Sequence, residues 1–205
     1  MKKLSTFVLT LMLLFTFMPA ANAANNDTYT VKVGDTMWKI ALRYKVGVPE
    51  IINANSQIKN PNMIYPGQKV NIPLEGQASS IEMQVAELTN QERAKQGLKP
   101  LTFNWELGRV ARDKSEDMIA KNYFSHTSPT YGSPFDMMKA YGISYRTAGE
   151  NIASGQRTAQ AVVTAWMNSE GHRKNILNPN FTEIGVGYAT KSNGTPYWTQ
   201  MFIGR

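Results

Sequence analysis

Two histidines, His126 and His172, carry the only imidazoles in the 205-residue chain. His126 follows Phe124-Ser125 and His172 follows Ser169-Glu170-Gly171, so each sits among small residues rather than on an evident apolar helix face. Imidazole titrates near neutral pH and can move protons, and its neutral form ligates divalent metals. Other common chemistries are absent from the pattern. There is no cysteine, which removes thiolate nucleophiles, thiolate zinc sites and disulfides. Serine and aspartate accompany the histidines, yet no Gly-x-Ser-x-Gly elbow presents a serine. The histidines lie far apart, and no His-Glu-x-x-His places a pair on one helix face as a zincin requires.

The elements that must position these imidazoles can be read from caps and periodicity. Ser79 with Glu82 forms a capping-box pair ahead of Ile81, Val85 and Leu88, and this helix stops near Gly97 and Pro100. Asn104 caps a second helix that turns Leu107, Val110, Ala111 and Met118 to one side. Ser133-Pro134-x-Asp136 opens a third helix closed by Gly142, and Thr158 opens a fourth carrying Ala161, Val162, Ala165 and Trp166. Gly149 to Ala153 has strand character. Ile184 to Tyr188 has more, and Asn193-Gly194 folds it back onto Tyr197 to Phe202 as a hairpin. Helices on an antiparallel sheet make an α+β fold. Trp166, Trp198 and Phe202 recur at core-like spacing and read as packing residues.

Three segments stand out along this frame: Phe124-Ser125-His126, Gly149-Glu150-Asn151-Ile152, and Trp166-x-x-Ser169-x-Gly171-His172-Arg173-x-Asn175-Ile176-Leu177 followed by Ile184-Gly185-Val186-Gly187. Leu88-Thr89-Asn90-Gln91-Glu92-Arg93 and Gly97-Leu98-x-Pro100-Leu101 precede them. In this order and spacing, the stretch from about Ile81 to the C-terminus resembles the CAP superfamily of cysteine-rich secretory, antigen-five and plant pathogenesis-related proteins. The resemblance implies a three-layer α–β–α sandwich with a cleft at His126, Glu150 and His172. Many members carry a second carboxylate, whose place is Ser169 here, with Glu170 adjacent. Two imidazoles and a carboxylate can hold a divalent metal such as zinc, with His126 and His172 as ligands. They can instead pass a proton as catalytic groups, or Glu150 can simply orient a histidine and knit the cleft together. All three uses stay open at this level, and with them the question of enzymatic activity.

The chain before this domain has a different pattern. Tyr29 to Val33 alternates as a strand does, Gly34-Asp35 makes a turn, and Thr36 caps a helix through Ile40, Ala41 and Tyr44. Pro49 starts a second helix running into Asn53-Ala54-Asn55, Pro66-Gly67 turns, and Lys69 to Pro73 closes as a strand. Tyr29-Thr30-Val31-Lys32-Val33-Gly34-Asp35-Thr36-Met37-Trp38-Lys39-Ile40-Ala41, with Asn53-Ala54-Asn55 and Tyr65 to Pro73, closely resembles a LysM domain. That implies binding to N-acetylglucosamine glycans such as peptidoglycan. The groove would have Gly34, Asp35, Thr36 and Met37 on one wall and Asn60, Met63 and Ile64 on the other.

Lys2 and Lys3, the apolar run Leu4 to Met18 and Ala21-Asn22-Ala23 have the form of a signal peptide cleaved after Ala23. The run falls short of the roughly 20 residues of a membrane span. The expected organisation is thus a signal peptide at 1–23, a LysM domain at 29–73 and a CAP domain at 79–205, joined by a short linker. Removing the two lysines lowers the formal charge from +7 to +5. The basic residues are dispersed and not interleaved with aromatics, which speaks against nucleic acid as a partner. The expectation is a secreted protein of the cell wall or of a spore coat. Its partners would be peptidoglycan glycans at the LysM domain and a lipid or envelope protein at the CAP domain.

Overall fold

The computed structural model describes residues 26–74 and 79–205. The expected signal segment 1–23 and residues 75–78 of the linker lie outside the described residues. In the first module, β1 (Asn26–Thr30) pairs antiparallel with β2 (Lys69–Pro73), and α1 (Met37–Tyr44) and α2 (Val48–Asn53) lie between them in sequence. This is the expected strand–helix–helix–strand order. Thr36 Oγ1 accepts from Lys39 N at 3.2 Å, the N-cap read from the sequence. Met37, Ile40, Val46, Ile51, Val70 and Ile72 close the core. Buried Asn55 ties α2 to β2, its Nδ2 donating to the Ile51 and Asn71 carbonyls and its Oδ1 accepting from Asn71 N. The first strand lies three residues earlier than its alternation suggested. Asp35 accepts from Lys32 N at 2.8 Å and bends the chain there, which leaves Val33 88% exposed.

The second domain is built on a four-stranded sheet. β4 (Thr147–Ser154), β5 (Glu183–Thr190) and β6 (Pro196–Gly204) are antiparallel neighbours, and the two-residue β3 (Thr102–Phe103) adds parallel to β5, giving the order β3-β5-β6-β4. Because side chains alternate along β6, Trp198 and Phe202 face one core while Met201 and Ile203 face another. The first core is closed by α3 (Ser80–Ala94), α6 (Ala159–Asn168) and α7 (Glu170–Ile176) through Val85, Val162, Trp166 and Ile176. The second is closed by α4 (Trp105–Ala120) and α5 (Pro134–Ala140) through Leu107, Val110, Met137 and Met138. The result is helices on both faces of a sheet, and each large apolar side chain fully buried there contributes about 1.5–3 kcal/mol.

The small residues of Ile184-Gly185-Val186-Gly187 have a spatial reason. A Cβ on Gly185 would stand 2.3 Å from Leu107 C, and one on Gly187 would stand 2.1 Å from Ala111 C. Only glycine lets α4 lie directly on β5. The capping-box glutamate also reaches further than its own helix. Fully buried Glu82 accepts from Arg112 of α4 and from Tyr188 N of β5, joining three elements. α7 and β3 were not evident from the sequence, being two turns and two residues long respectively.

Candidate functional site

The three cleft residues come from three different elements, and β4 is the part they share. Glu150 sits on β4 with only 2% of its side chain exposed. His126 lies on the loop after α4, and its Nδ1 is 2.7 Å from Glu150 Oε1. His172 is on α7, which is bolted to β4 at two points. Asn151 Nδ2 donates to the His172 carbonyl at 3.1 Å, and Asn175 Nδ2 donates to the Glu150 carbonyl at 3.1 Å. Gly149 allows this approach, since a Cβ there would press to 3.1 Å from Asn175 Oδ1. The Asn175–Asn151–Gln200–Thr89 chain of side-chain hydrogen bonds continues through the buried sheet to α3.

The loop bearing His126 is held from beneath by residues that the motifs did not single out. Fully buried Lys114 of α4 donates to the carbonyls of Ser125 and His126, both at 2.9 Å, and to Tyr123 Oη at 3.1 Å. Asp117, one residue short of a turn further on, accepts from Tyr123 Oη, Ser128 Oγ and Thr130 Oγ1. Burial alone would raise the Asp117 pKa, but these three hydrogen bonds prevail and hold it below the ordinary value. Burial pulls the Lys114 ammonium down, and the Glu150 and Asp117 carboxylates oppose that shift. A sequence signal for Lys114 existed. It falls on the same stripe as Leu107, Ala111 and Met118, where a lysine needs a buried partner.

This geometry has definite chemical capacities. With Glu150 ionised and the imidazole neutral, the ring of His126 donates through Nδ1, which leaves the lone pair on Nε2 of a side chain that is 53% exposed. Such an imidazole can accept a proton or a hydrogen bond from a bound molecule. The His172 pKa is lowered by burial first and by the charge of His126 second, so the two rings interact electrostatically and His172 favours its neutral form. Glu150 Oε2 is buried without a hydrogen-bond partner in the protein. Ser169 is the N-cap of α7, and Glu170 is 72% exposed and paired with Lys174, so neither adds a carboxylate to the cleft. Among the described residues, no three His, Cys, Asp or Glu side chains are grouped to hold a metal ion.

The expected glycan residues divide differently. Asn60 and Met63 line a shallow trough of about 540 Å³ with Gln57, Tyr65 and Gln68. Ile64 packs half-buried against the module core, and Met37 is within that core. Gly34 holds a left-handed turn (φ +83°), Thr36 caps α1, and the Asp35 carboxylate accepts from Lys32 N, Tyr29 Oη and Arg43. The polar side chains of this turn are thus engaged within the fold.

Comparison with known proteins follows the same division. The sequence model of the cysteine-rich secretory protein family, CAP, matches residues 86–202, and that of the LysM domain matches residues 29–73. The uncharacterized protein YkwD of Bacillus subtilis (strain 168) is 67% identical over 127 residues, which are 62% of this chain and 48% of that protein. A crystal structure of an extracellular protein containing an SCP domain, from Bacillus anthracis str. Ames, aligns at 35% identity with a TM-score of 0.57, covering 68% of this chain and 47% of that one. The chain therefore spans about half the length of these two relatives. A probable N-acetylmuramidase of Lactococcus lactis subsp. cremoris (strain MG1363) is 51% identical over 53 residues, 26% of this chain and 11% of that protein. Among the described residues, no helix is long and apolar enough to cross a membrane.

Proposed function

For a chain that belongs to the cysteine-rich secretory protein (CAP) family and also carries a LysM domain, we propose the role of an exported, wall-associated binding protein. The LysM domain attaches it to N-acetylglucosamine glycans of peptidoglycan, and the CAP cleft engages a lipid or protein of the outer envelope. The observation that carries this reading is the exposed trough at Gln57, Asn60, Met63 and Tyr65, where amide and apolar groups alternate on an open surface. Such a surface suits the acetamide and ring faces of an amino sugar, and its shallowness suits weak, repeated contacts on a polymer. The kinship of the module with a probable N-acetylmuramidase supports the same ligand class.

A hydrolytic reading of the cleft is favoured by one feature, the buried Glu150 carboxylate that orients His126 and keeps an oxygen unpartnered. In that reading His126 Nε2 takes a proton from an attacking water while neutral His172 stands beside it. Both readings are tested with one preparation, the mature protein incubated with insoluble peptidoglycan and with peptide substrates, in the presence and absence of zinc. Co-sedimentation without release of soluble fragments is expected. Failure to sediment overturns wall attachment. Fragment release abolished in a folded His172→Ala variant overturns the binding-only account of the cleft.

A further inference from the structure

The LysM and CAP domains meet at a polar clamp. Arg109 Nη1 of α4 donates to Glu50 Oε2 of α2 at 3.0 Å, and the guanidinium lies 5.3 Å from the centroid of the Tyr141 ring. Gly47 makes room for the pair. Its φ of −71° suits any residue, but a Cβ there would stand 1.7 Å from Arg109 Nη1 and 1.8 Å from Glu50 Oε2. Beside the clamp lies a cavity of about 190 Å³ with Trp38 and Leu42 on the LysM side and Trp105, Glu106, Arg109 and Tyr141 on the CAP side. Trp38 is 60% exposed, although it is the largest apolar side chain of its helix. The buried Nε of Arg109 has no hydrogen-bond partner in the protein.

We propose that this junction is a second saccharide subsite, which carries the glycan held by the LysM domain across onto the CAP domain. The proposal rests on the LysM reading given above. Two observations select the ligand class. Two indoles line the cavity, rings of the kind that stack on the C–H faces of a pyranose, and Glu106 and Arg109 supply an acceptor and donors for hydroxyl or acetamide groups. The one guanidinium in the lining is already paired with Glu50, so a neutral, hydroxyl-rich molecule fits this cavity better than an anion.

The test is calorimetric titration of the full mature chain with a short and a long β-1,4-linked N-acetylglucosamine oligomer, a disaccharide and a hexasaccharide. Trp105→Ala lies in the CAP domain and outside the trough. It should weaken the hexasaccharide by about tenfold, equivalent to about 1.4 kcal/mol, and leave the disaccharide unchanged. Trp38→Ala should do the same, and being exposed it decides the matter if Trp105→Ala melts early. Wild-type binding of the hexasaccharide that neither variant weakens overturns the junction subsite and leaves the LysM reading standing. Absence of any oligomer binding by the wild type removes both.

Discussion

The two candidate sites spend their polar groups in opposite ways. At the turn before α1, Asp35 and Thr36 are consumed by the fold, accepting from Lys32 N, Tyr29, Arg43 and Lys39 N, and the ligand is left to an open trough of exposed side chains. In the CAP domain the carboxylate is buried, one of its oxygens has no partner, and a fully buried lysine lies beneath the loop that carries its histidine. An exposed polar trough costs little to keep and binds weakly. A buried charge costs several kcal/mol unless compensated, so its support must be maintained. The first site keeps most of its side chains exposed on the surface, and the second keeps a carboxylate buried with supports that act on it from several elements.

Three substitutions probe that contrast. Lys114→Met removes the donor to Ser125 and His126 and the cation that opposes Glu150. It should cost about 3 kcal/mol in denaturant unfolding, the scale for removing one partner of a buried charge pair. An unmoved midpoint would mean that the cleft is no more expensive than the trough, and the contrast would fail. In the module, Asp35→Ala should weaken retention on peptidoglycan by loosening the turn, while Asp35→Asn, which still accepts from Lys32 N, should retain most of it. Faster amide exchange at Lys32 and Asp35 in the alanine variant alone would identify the turn as the cause. Loss of binding in the asparagine variant with normal exchange would instead make Asp35 a direct sugar contact.

The smallest effect is expected at Asp113. Burial raises its pKa, and the hydrogen bond from Tyr141 offsets only part of that shift. Its stabilising contribution is complete below the unfolded value of 3.8 and is lost as pH rises through the folded value. Asp113→Asn keeps an acceptor for Tyr141 and carries no charge. The variant should therefore be more stable than wild type at neutral pH, by less than about 1 kcal/mol, and the difference should close as pH falls toward 4. Melting curves across that range would show a constant difference if the carboxylate were fully solvated.

What could be read in the sequence follows the same contrast. Caps, turns and the β5–β6 hairpin were legible because each is specified by neighbours along the chain: Thr36 with Lys39, Ser79 with Glu82, Asn104 with Leu107, Ser133 with Asp136. His126, Glu150 and His172 were legible as locations because they lie inside segments that resemble those of a known family. The supports were not. Asp117 and Gln200 act on side chains and backbone that only the fold brings to them, and Lys114 offered no more than its place on the apolar stripe of α4, which says that it is buried but not what it holds. β3 and α7 escaped for a related reason. Their existence depends on pairing with β5 and β4, not on any periodicity that two residues or two turns could display.

Gly47 has a consequence for how the two domains meet. With no side chain there, the tips of Arg109 and Glu50 meet over the backbone of Gly47, and a Cβ at that place would push both tips aside. Both are flexible, and a partly exposed ion pair contributes about 0–1 kcal/mol, so a larger residue would loosen this one contact between the domains rather than abolish it.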